Sequence, residues 1–363
     1  MQAVVVGGGA IGLSVAWRAA QRGVDVAVVD PTPGGGASRV AAGMLAPVSE
    51  VHYGEEALLA LALESSRRYP DFVDELEDAT GQSTGYRECG TLAVARDGDD
   101  LAELHQVAAY QERQGLTVSR LRSRECRSLE PALAPGVRGG VLVEGDHQID
   151  PRRLLAALLA ACRREGVALV SARALRWEPG RVHLDSAPAV DADVVVLASG
   201  AWATRLEGLP VALANLVRPV KGQIVRLHGD LLLSRNIRGL DVYVMARTDG
   251  EVVVGATVEE RGFDPTVTAG AVYDLLRAAV ELVPDVRELA LVSTETGFRP
   301  GTPDNAPLLG VVEEGLVLAT GHYRNGILLA PVTADAIAGL LVDGAMPDVA
   351  APFGAARFAG STA

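Results

Sequence analysis

The sequence predicts an α/β fold of two intertwined domains, and three observations predict it. Strand–helix–strand patterning stands at both ends of the chain, antiparallel strand patterning lies between them, and a glycine-spaced turn joins the first strand to the first helix. At 363 residues, with 48% hydrophobic and 22% charged residues, the chain is long enough for one large or two interleaved domains with buried cores.

Ala3–Val6 reads as a buried strand rather than the start of a signal peptide, because no basic region precedes it and it runs straight into Gly7-Gly8-Gly9. A helix over Ala10–Arg22 follows, with Ile11, Val15 and Ala19 at helical spacing and Gly23 where a C-cap belongs; Val24–Val29 is the second strand. Glu55–Gln82 reads as a helix pair, Leu101–Gly115 as a further helix, and Pro151–Glu165 as another with proline in its first turn. Strands over Ala168–Val170 and Val194–Ala198 lead into an antiparallel pattern: Gly222–Leu227, Val242–Arg247 and Val252–Thr257, the last two joined by the turn Thr248-Asp249-Gly250. A helix over Ala269–Val283, a strand over Leu316–Ala319 and a helix over Thr333–Val342 close the chain. The expected division places residues 1–80, 145–215 and 290–363 in one discontinuous domain. Residues 81–144 and 216–289 form the second, on an antiparallel or mixed sheet.

Composition excludes several functions. The formal net charge of -13 leaves no basic excess for a nucleic-acid partner, although a local arginine pocket can still bind a small anion. No uninterrupted apolar run reaches the roughly eighteen residues of a membrane span, so no stable membrane association is expected. Cys89, Cys126 and Cys162 show neither metal spacing nor an even count, which fits a reducing cytoplasm and no metal site.

Gly7, Gly9 and Gly12 stand at Gly-x-Gly-x-x-Gly spacing, directly after a strand and at the opening of a helix. In that frame Gly7 permits the tight turn, Gly9 lets backbone approach a pyrophosphate, and Gly12 lets helix and sheet pack closely. Asp30 ends the second strand, where a carboxylate accepts hydrogen bonds from ribose hydroxyls. The pattern predicts a Rossmann-type dinucleotide site. FAD is favoured over NAD by the small residues Gly34–Ser38 and Ala41–Leu45, along which backbone can follow an extended cofactor. The turn Thr320–Gly326 before a helix also favours it, if that helix N-terminus faces the ring that gains charge on reduction.

At this point the chain resembles the D-amino-acid oxidase superfamily of flavoproteins, and within it the glycine oxidases of thiamine biosynthesis. The resemblance rests on Gly7–Gly12, Ala41–Leu45, Val194–Trp202, Val220-Lys221-Gly222, Gly255-Ala256-Thr257, Gly297–Thr302 and above all Gly321–Pro331. It implies a non-covalently held FAD, a D-amino-acid oxidase-like fold, and oxidative deamination of glycine, sarcosine or D-alanine with oxygen as acceptor. It also implies a homo-oligomer, a tetramer among the possibilities, and a functional link to thiazole synthase. The positions matching FAD contacts are Ala10, Ile11, Asp30, Pro31, Ala37, Ser38, Ala42, Gly43, Met44 and Ala174, together with His322, Tyr323, Arg324, Asn325, Gly326, Ile327 and Leu328. Ser199 and Gly200, within Val194–Trp202, are taken with them. Arg299 matches the arginine that pairs with the substrate carboxylate, Tyr243 the tyrosine beside it and Arg324 a second substrate contact; Met44 and Glu50 match pocket-lining positions. Val258 and Asp241-Val242 depart from the family pattern and put substrate preference, rather than chemistry, in question.

The residues themselves support part of this. Arginine offers a planar fork that holds a carboxylate bidentately, and Arg299 lies in a proline-flanked segment. Arg324, read at a helix start, is electrostatically unfavourable there without an anion nearby. Tyr243 lies in an alternating strand, so core packing is its competing role. His322 reads as cofactor-shell or structural rather than as a base, since hydride transfer from an amine needs positioning more than carbon-proton abstraction. Lys221 either assists oxygen or pairs with an acid. Glu50 either gates a loop or stays solvated, the solvated reading being favoured. A D-amino-acid dehydrogenase of broader specificity and a non-catalytic flavin-binding sensor remain the alternatives.

Overall fold

The structure is a computed structural model that describes residues 1–230 and 233–359. Residues 231–232 of the expected segment 216–289, and 360–363 of the segment 290–363, lie outside the described residues. The fold is α/β, with the two expected kinds of sheet.

The first sheet has six strands. Gln2–Val6 pairs in parallel with Asp25–Val29 on one side and Val194–Leu197 on the other. Ala168–Val170 extends one flank; Leu316–Thr320 and the antiparallel Leu308–Glu313 extend the other. Its central strands are apolar throughout rather than alternating because both faces are covered. Ala3 and Val5 pack under the helices Ala10–Gln21, Pro151–Arg164 and Ala330–Asp343. Val4 and Val6 pack against Trp177 and Val182 of a small sheet formed by Ala174–Glu178, Arg181–Leu184 and Val190–Asp191. Helix Ala10–Gln21 ends where Gly23 takes φ +80°, and the Val24 N–H closes back on the Ala19 carbonyl at 3.1 Å.

The expected helix pair over Glu55–Gln82 is instead one helix of 25 residues, Glu56–Thr80, with Pro70 inside it. Proline in a helix interior costs about 3 kcal/mol. The buried stripe Leu58, Leu61, Ala62, Tyr69, Phe72, Val73 and Leu76 runs through that position, and each large apolar side chain buried returns roughly 1.5–3 kcal/mol. Packing therefore outweighs the breaker. The helices Gly98–Arg113 and Pro151–Arg164 begin at side-chain caps: Asp97 accepts from the Asp99 and Asp100 N–H groups at 2.9 Å, and Asp150 from that of Arg152 at 2.8 Å.

The second sheet has eight strands in the order Ala290–Gly301, Arg218–His228, Glu251–Gly255, Tyr243–Ala246, Asn236–Arg238, Thr91–Ala95, Gly139–Val143 and Ser119–Arg122. It is mixed because Asn236–Arg238 runs parallel to Thr91–Ala95, its other pairings being antiparallel. One face packs under helix Ala269–Leu282 through Leu275, Ala279 and Leu282. On the other, Ile224, Met245 and Val253 meet Ala42 from the loop that leaves the first βα unit. That contact brings the two sheets to a common space.

Gly12 illustrates how the first βα unit closes: a Cβ there would be driven into the Gly7 carbonyl. Gly12→Ala is expected to cost about 1–3 kcal/mol as overpacking. Gly98→Ala, in a helix with open space around the added methyl, should leave the thermal midpoint unchanged or raise it. Thermal unfolding of both variants checks this, and equal midpoints would remove the steric role of Gly12.

Candidate active site

A cavity of about 1400 Å³ lies between the two sheets, larger than the roughly 300–1,000 Å³ of a drug-sized pocket. The first βα turn contributes Gly7, Gly9, Ala10, Ile11, Asp30 and Pro31 to its wall. Ala37, Ser38, Ala42, Gly43, Met44, Ala174, Ser199 and Gly200 continue the lining. Glu50, Tyr243, Arg299, His322, Tyr323, Arg324, Asn325, Gly326 and Ile327 complete the expected set. Two expected cofactor positions do not reach the cavity. Gly12 is packed on the Gly7 carbonyl, and Leu328 is 3% exposed in the first core with its carbonyl accepting from Ser65 Oγ at 2.6 Å. Both shape the site from behind.

At the nucleotide turn Gly7 has φ +115°, and a side chain there would strike the backbone of Ala198 and Ser199. The Ala10 N–H donates to Ser38 Oγ at 3.0 Å, whereas the Gly9 and Ile11 N–H groups have no partner among the described residues. Free amides at the start of a twelve-residue helix fit the pyrophosphate of a dinucleotide. Asp30 lines the cavity and is fixed by two backbone donors, Gly8 N–H to Oδ2 and Thr32 N–H to Oδ1, both at 2.7 Å. Each oxygen keeps lone-pair capacity for a ribose hydroxyl.

The eight-stranded sheet supplies the reactive side. Arg299 stands on the strand Ala290–Gly301 opposite Val220. Its Nη1 donates to the carbonyls of Thr257 at 3.0 Å and Lys221 at 3.4 Å, and no carboxylate lies within 4.0 Å of it among the described residues. Gly222 makes this possible, since a Cβ there would collide with the guanidinium. Gly255 does the same for Tyr243, its register partner: a side chain would fall on the phenol. Burial pushes the Tyr243 hydroxyl up to about 12, against the opposing pull of Arg299, so it remains a neutral hydrogen-bond donor.

Glu50 is neither solvated nor free to gate. Its side chain is 16% exposed and ion-paired with Arg238, with Arg324 Nε at 3.8 Å. Burial alone would raise its carboxyl, but the two guanidiniums outweigh burial and hold it below the ordinary carboxylate range. The loop before it is pinned by buried Asp146, which accepts from the Val48 N–H at 3.1 Å, the Ser49 N–H at 2.9 Å and the Ser49 hydroxyl. Burial lifts Asp146 to about 6 despite those donors. Arg238, opposite Tyr243 on the neighbouring strand, is a cavity residue that sequence patterning missed. Its three-residue strand carries no periodic signal.

Arg324 does not sit at a helix start. It lies on the short 3-10 turn Tyr323–Asn325, and the helix begins at Ala330, beyond the cavity wall, so neither the dipole argument for Arg324 nor that for a helix end facing the cofactor applies. Its Nε is buried without a hydrogen-bond partner, and its guanidinium lies 5.1 Å from the Tyr323 ring centre. His322 is 2% exposed, with Nε2 3.0 Å from Thr333 Oγ1; burial pushes its imidazole down to about 3, leaving it neutral. Lys221 does not line the cavity. It is buried, donates to the Thr266 carbonyl at 2.5 Å and lies 3.5 Å from Asp264, which is the acid-paired alternative. Val258 is 61% exposed at the cavity wall, and Asp241 pairs with Arg96 at 3.1 Å. Among the described residues no group of acids, histidines and cysteines has a metal-binding arrangement, and no helix is long and apolar enough to cross a membrane.

Comparison with known proteins agrees with this geometry. The sequence pattern of the family described as FAD dependent oxidoreductase matches residues 2–340. The glycine oxidase of Geobacillus kaustophilus is 36% identical over 366 residues, covering 98% of this chain and 97% of that protein. The crystal structure of glycine oxidase from the same organism superposes with a TM-score of 0.91 at 35% identity, over 98% of both chains. The bifunctional protein ThiO/ThiG of Trichormus variabilis is 36% identical over 98% of this chain and 55% of its own length. The chain thus spans about half the length of the bifunctional relatives it matches.

A neutral buried His322 has a defined effect on stability. Unfolded, its imidazole takes up a proton near the ordinary 6.5, whereas folded it stays neutral down to about 3. The unfolded state therefore binds more protons in between, and this residue's contribution is lost as pH falls from 6.5. Asp146, with a raised carboxyl, acts in the opposite sense, so the effect is read from a pair of proteins. His322→Gln is expected to be less stable than the parent at pH 7 to 8, and the gap in thermal midpoint should narrow as pH falls to 4. A gap independent of pH would mean that His322 titrates in the fold as it does in the unfolded chain.

Proposed function

The chain belongs to the FAD dependent oxidoreductase family, and we propose that within it this protein oxidises glycine or a similarly small amino acid, such as sarcosine or D-alanine, with oxygen as acceptor. The observation that carries the reading is Arg299: a guanidinium in a cavity wall, anchored by two carbonyls and matched by no acid of its own among the described residues. Such a group is suited to a carboxylate brought by the substrate.

In this reading Arg299 grips the substrate carboxylate, neutral Tyr243 donates a second hydrogen bond to it, and Arg324 supplies a further contact. Met44 and Glu50 border the remaining space. Bound FAD supplies the two-electron acceptor for the hydride leaving the substrate α-carbon. The chain's own residues then have to orient the α-carbon and exclude water, because no proton need be taken from carbon. His322, neutral and tied to Thr333, serves position rather than proton transfer. The products are an imine, hydrolysed to the 2-oxo acid and ammonia, and hydrogen peroxide.

The proposal extends to organisation. Residues 1–80, 145–215 and 290–363 form the FAD-binding domain, and 81–144 and 216–289 the substrate-binding domain, except that the strand Ala290–Gly301 joins the eight-stranded sheet of the latter. FAD is held without a covalent bond, and the chain acts as a cytoplasmic homo-oligomer, tetramer included. The bifunctional relatives, in which a sequence like this one occupies about half of the length, support a link to thiazole synthase, with the glycine imine as the shared intermediate.

Peroxide release across glycine, sarcosine and a set of D-amino acids tests the reading; turnover is expected with glycine or its small analogues. Flavin-loaded protein silent across the set would overturn it, and turnover only with a quinone dye would make it a dehydrogenase. Arg299→Ala should lose about 1.5–3 kcal/mol of substrate binding, raising KM by one to two orders of magnitude while the flavin absorbance stays. Unchanged kinetics would take Arg299 out of the substrate site.

A further inference from the structure

The mechanism leaves unused the most deeply buried arginine of the eight-stranded sheet. Arg226 is 1% exposed, on the strand Arg218–His228. Its Nη1 donates to Glu251 at 3.0 Å, and its Nε lies 3.3 Å from Glu295. Its Nη2 reaches out of the sheet to the carbonyls of Arg39, Val40 and Ala41, at 3.4, 3.3 and 3.5 Å. Arg247, just past the strand Tyr243–Ala246 and joined to Glu251 at 2.7 Å, takes the next carbonyl, that of Ala42, at 2.7 Å. The carbonyl after that, of Gly43, is taken by the Ile149 N–H at 2.9 Å.

Four successive carbonyls are thus turned toward arginines of the eight-stranded sheet, and the fifth is held by Ile149. The N–H groups of Ala42 and Gly43 have no partner among the described residues, although both residues are buried and both line the cavity. A buried backbone donor without a partner costs about 1–3 kcal/mol, so two side by side indicate a ligand acceptor. The segment packs against Ile224 and is adjacent to Tyr243, which places these donors beside the substrate end of the cavity.

We infer that Arg226 and Arg247 are positioning residues for the flavin: by holding carbonyls 39–42 they fix the Ala42 and Gly43 amides as hydrogen-bond donors to the ring system. The inference rests on FAD binding by this family and is independent of the amino-acid substrate. Donors fixed at a ring that becomes negative on reduction favour the reduced form. The Arg226 charge itself is balanced by Glu251 and Glu295, so its leverage is through backbone geometry.

The test uses flavin-loaded protein, with the FAD dissociation constant and flavin midpoint potential as readouts. Arg226→Met is expected to weaken FAD binding at least about tenfold, as the loss of a charge-assisted hydrogen bond would. It should also shift the potential to more negative values. Arg247→Met should change both readouts in the same direction. Leu275→Ala, on the far face of the sheet, supplies a protein of lowered stability whose potential should remain parental. Folded Arg226→Met with parental FAD affinity and potential would overturn the inference. Should that variant not fold, Arg226→Lys is read in its place, since one ammonium cannot span Glu251 and the three carbonyls; parental values there overturn the inference equally.

Discussion

A cation that is to receive an anion inside a protein must be held by something other than an anion. Arg299 meets that condition through carbonyl oxygens, those of Thr257 and Lys221, which fix the fork without neutralising it. The rest of the substrate side is arranged around this constraint. Gly222 clears the space, Tyr243 stays neutral in the space Gly255 leaves, and the nearby lysine is turned away to Asp264 and Thr266. A carboxylate beside Arg299 would close the site to substrate.

The neighbouring guanidiniums follow the opposite rule. Arg238 and Arg324 share Glu50, and Asp146 holds the loop that delivers it. A partly buried ion pair of this kind contributes little net stability once desolvation is counted, but it fixes geometry. The cavity therefore contains one guanidinium kept open and, beside it, two that share a single carboxylate. In an otherwise acidic chain, that local arrangement concentrates positive charge at the cavity wall.

How much of this was legible beforehand depended on the kind of signal. Gly7, Gly9 and Gly12 announced the first βα unit because backbone sterics leave few residues that fit there, and apolar runs marked the buried parallel strands. The strands Thr91–Ala95, Ser119–Arg122 and Asn236–Arg238 were missed, being short or charged, with partners distant in sequence. Glu55–Gln82 read as a helix pair, whereas one buried stripe runs through Pro70 and holds a single helix. At the site, the residues expected at cofactor and substrate positions lined the cavity with two exceptions, Gly12 and Leu328. The environment of Glu50 and the presence of Arg238 were not readable, since each depends on a contact between elements far apart in the chain.

The pairing of Arg218–His228 with Ala290–Gly301 has a further consequence. Side chains alternate faces along a strand, so a slip of one residue between these partners would carry Arg299 to the opposite side and set Phe298 or Pro300 in its place. The first βα unit lies in the other sheet. A misaligned molecule would thus be catalytically empty whether or not it kept flavin, which makes flavin content a poor measure of correctly folded protein. Substrate-dependent bleaching counts the molecules whose strands are in step.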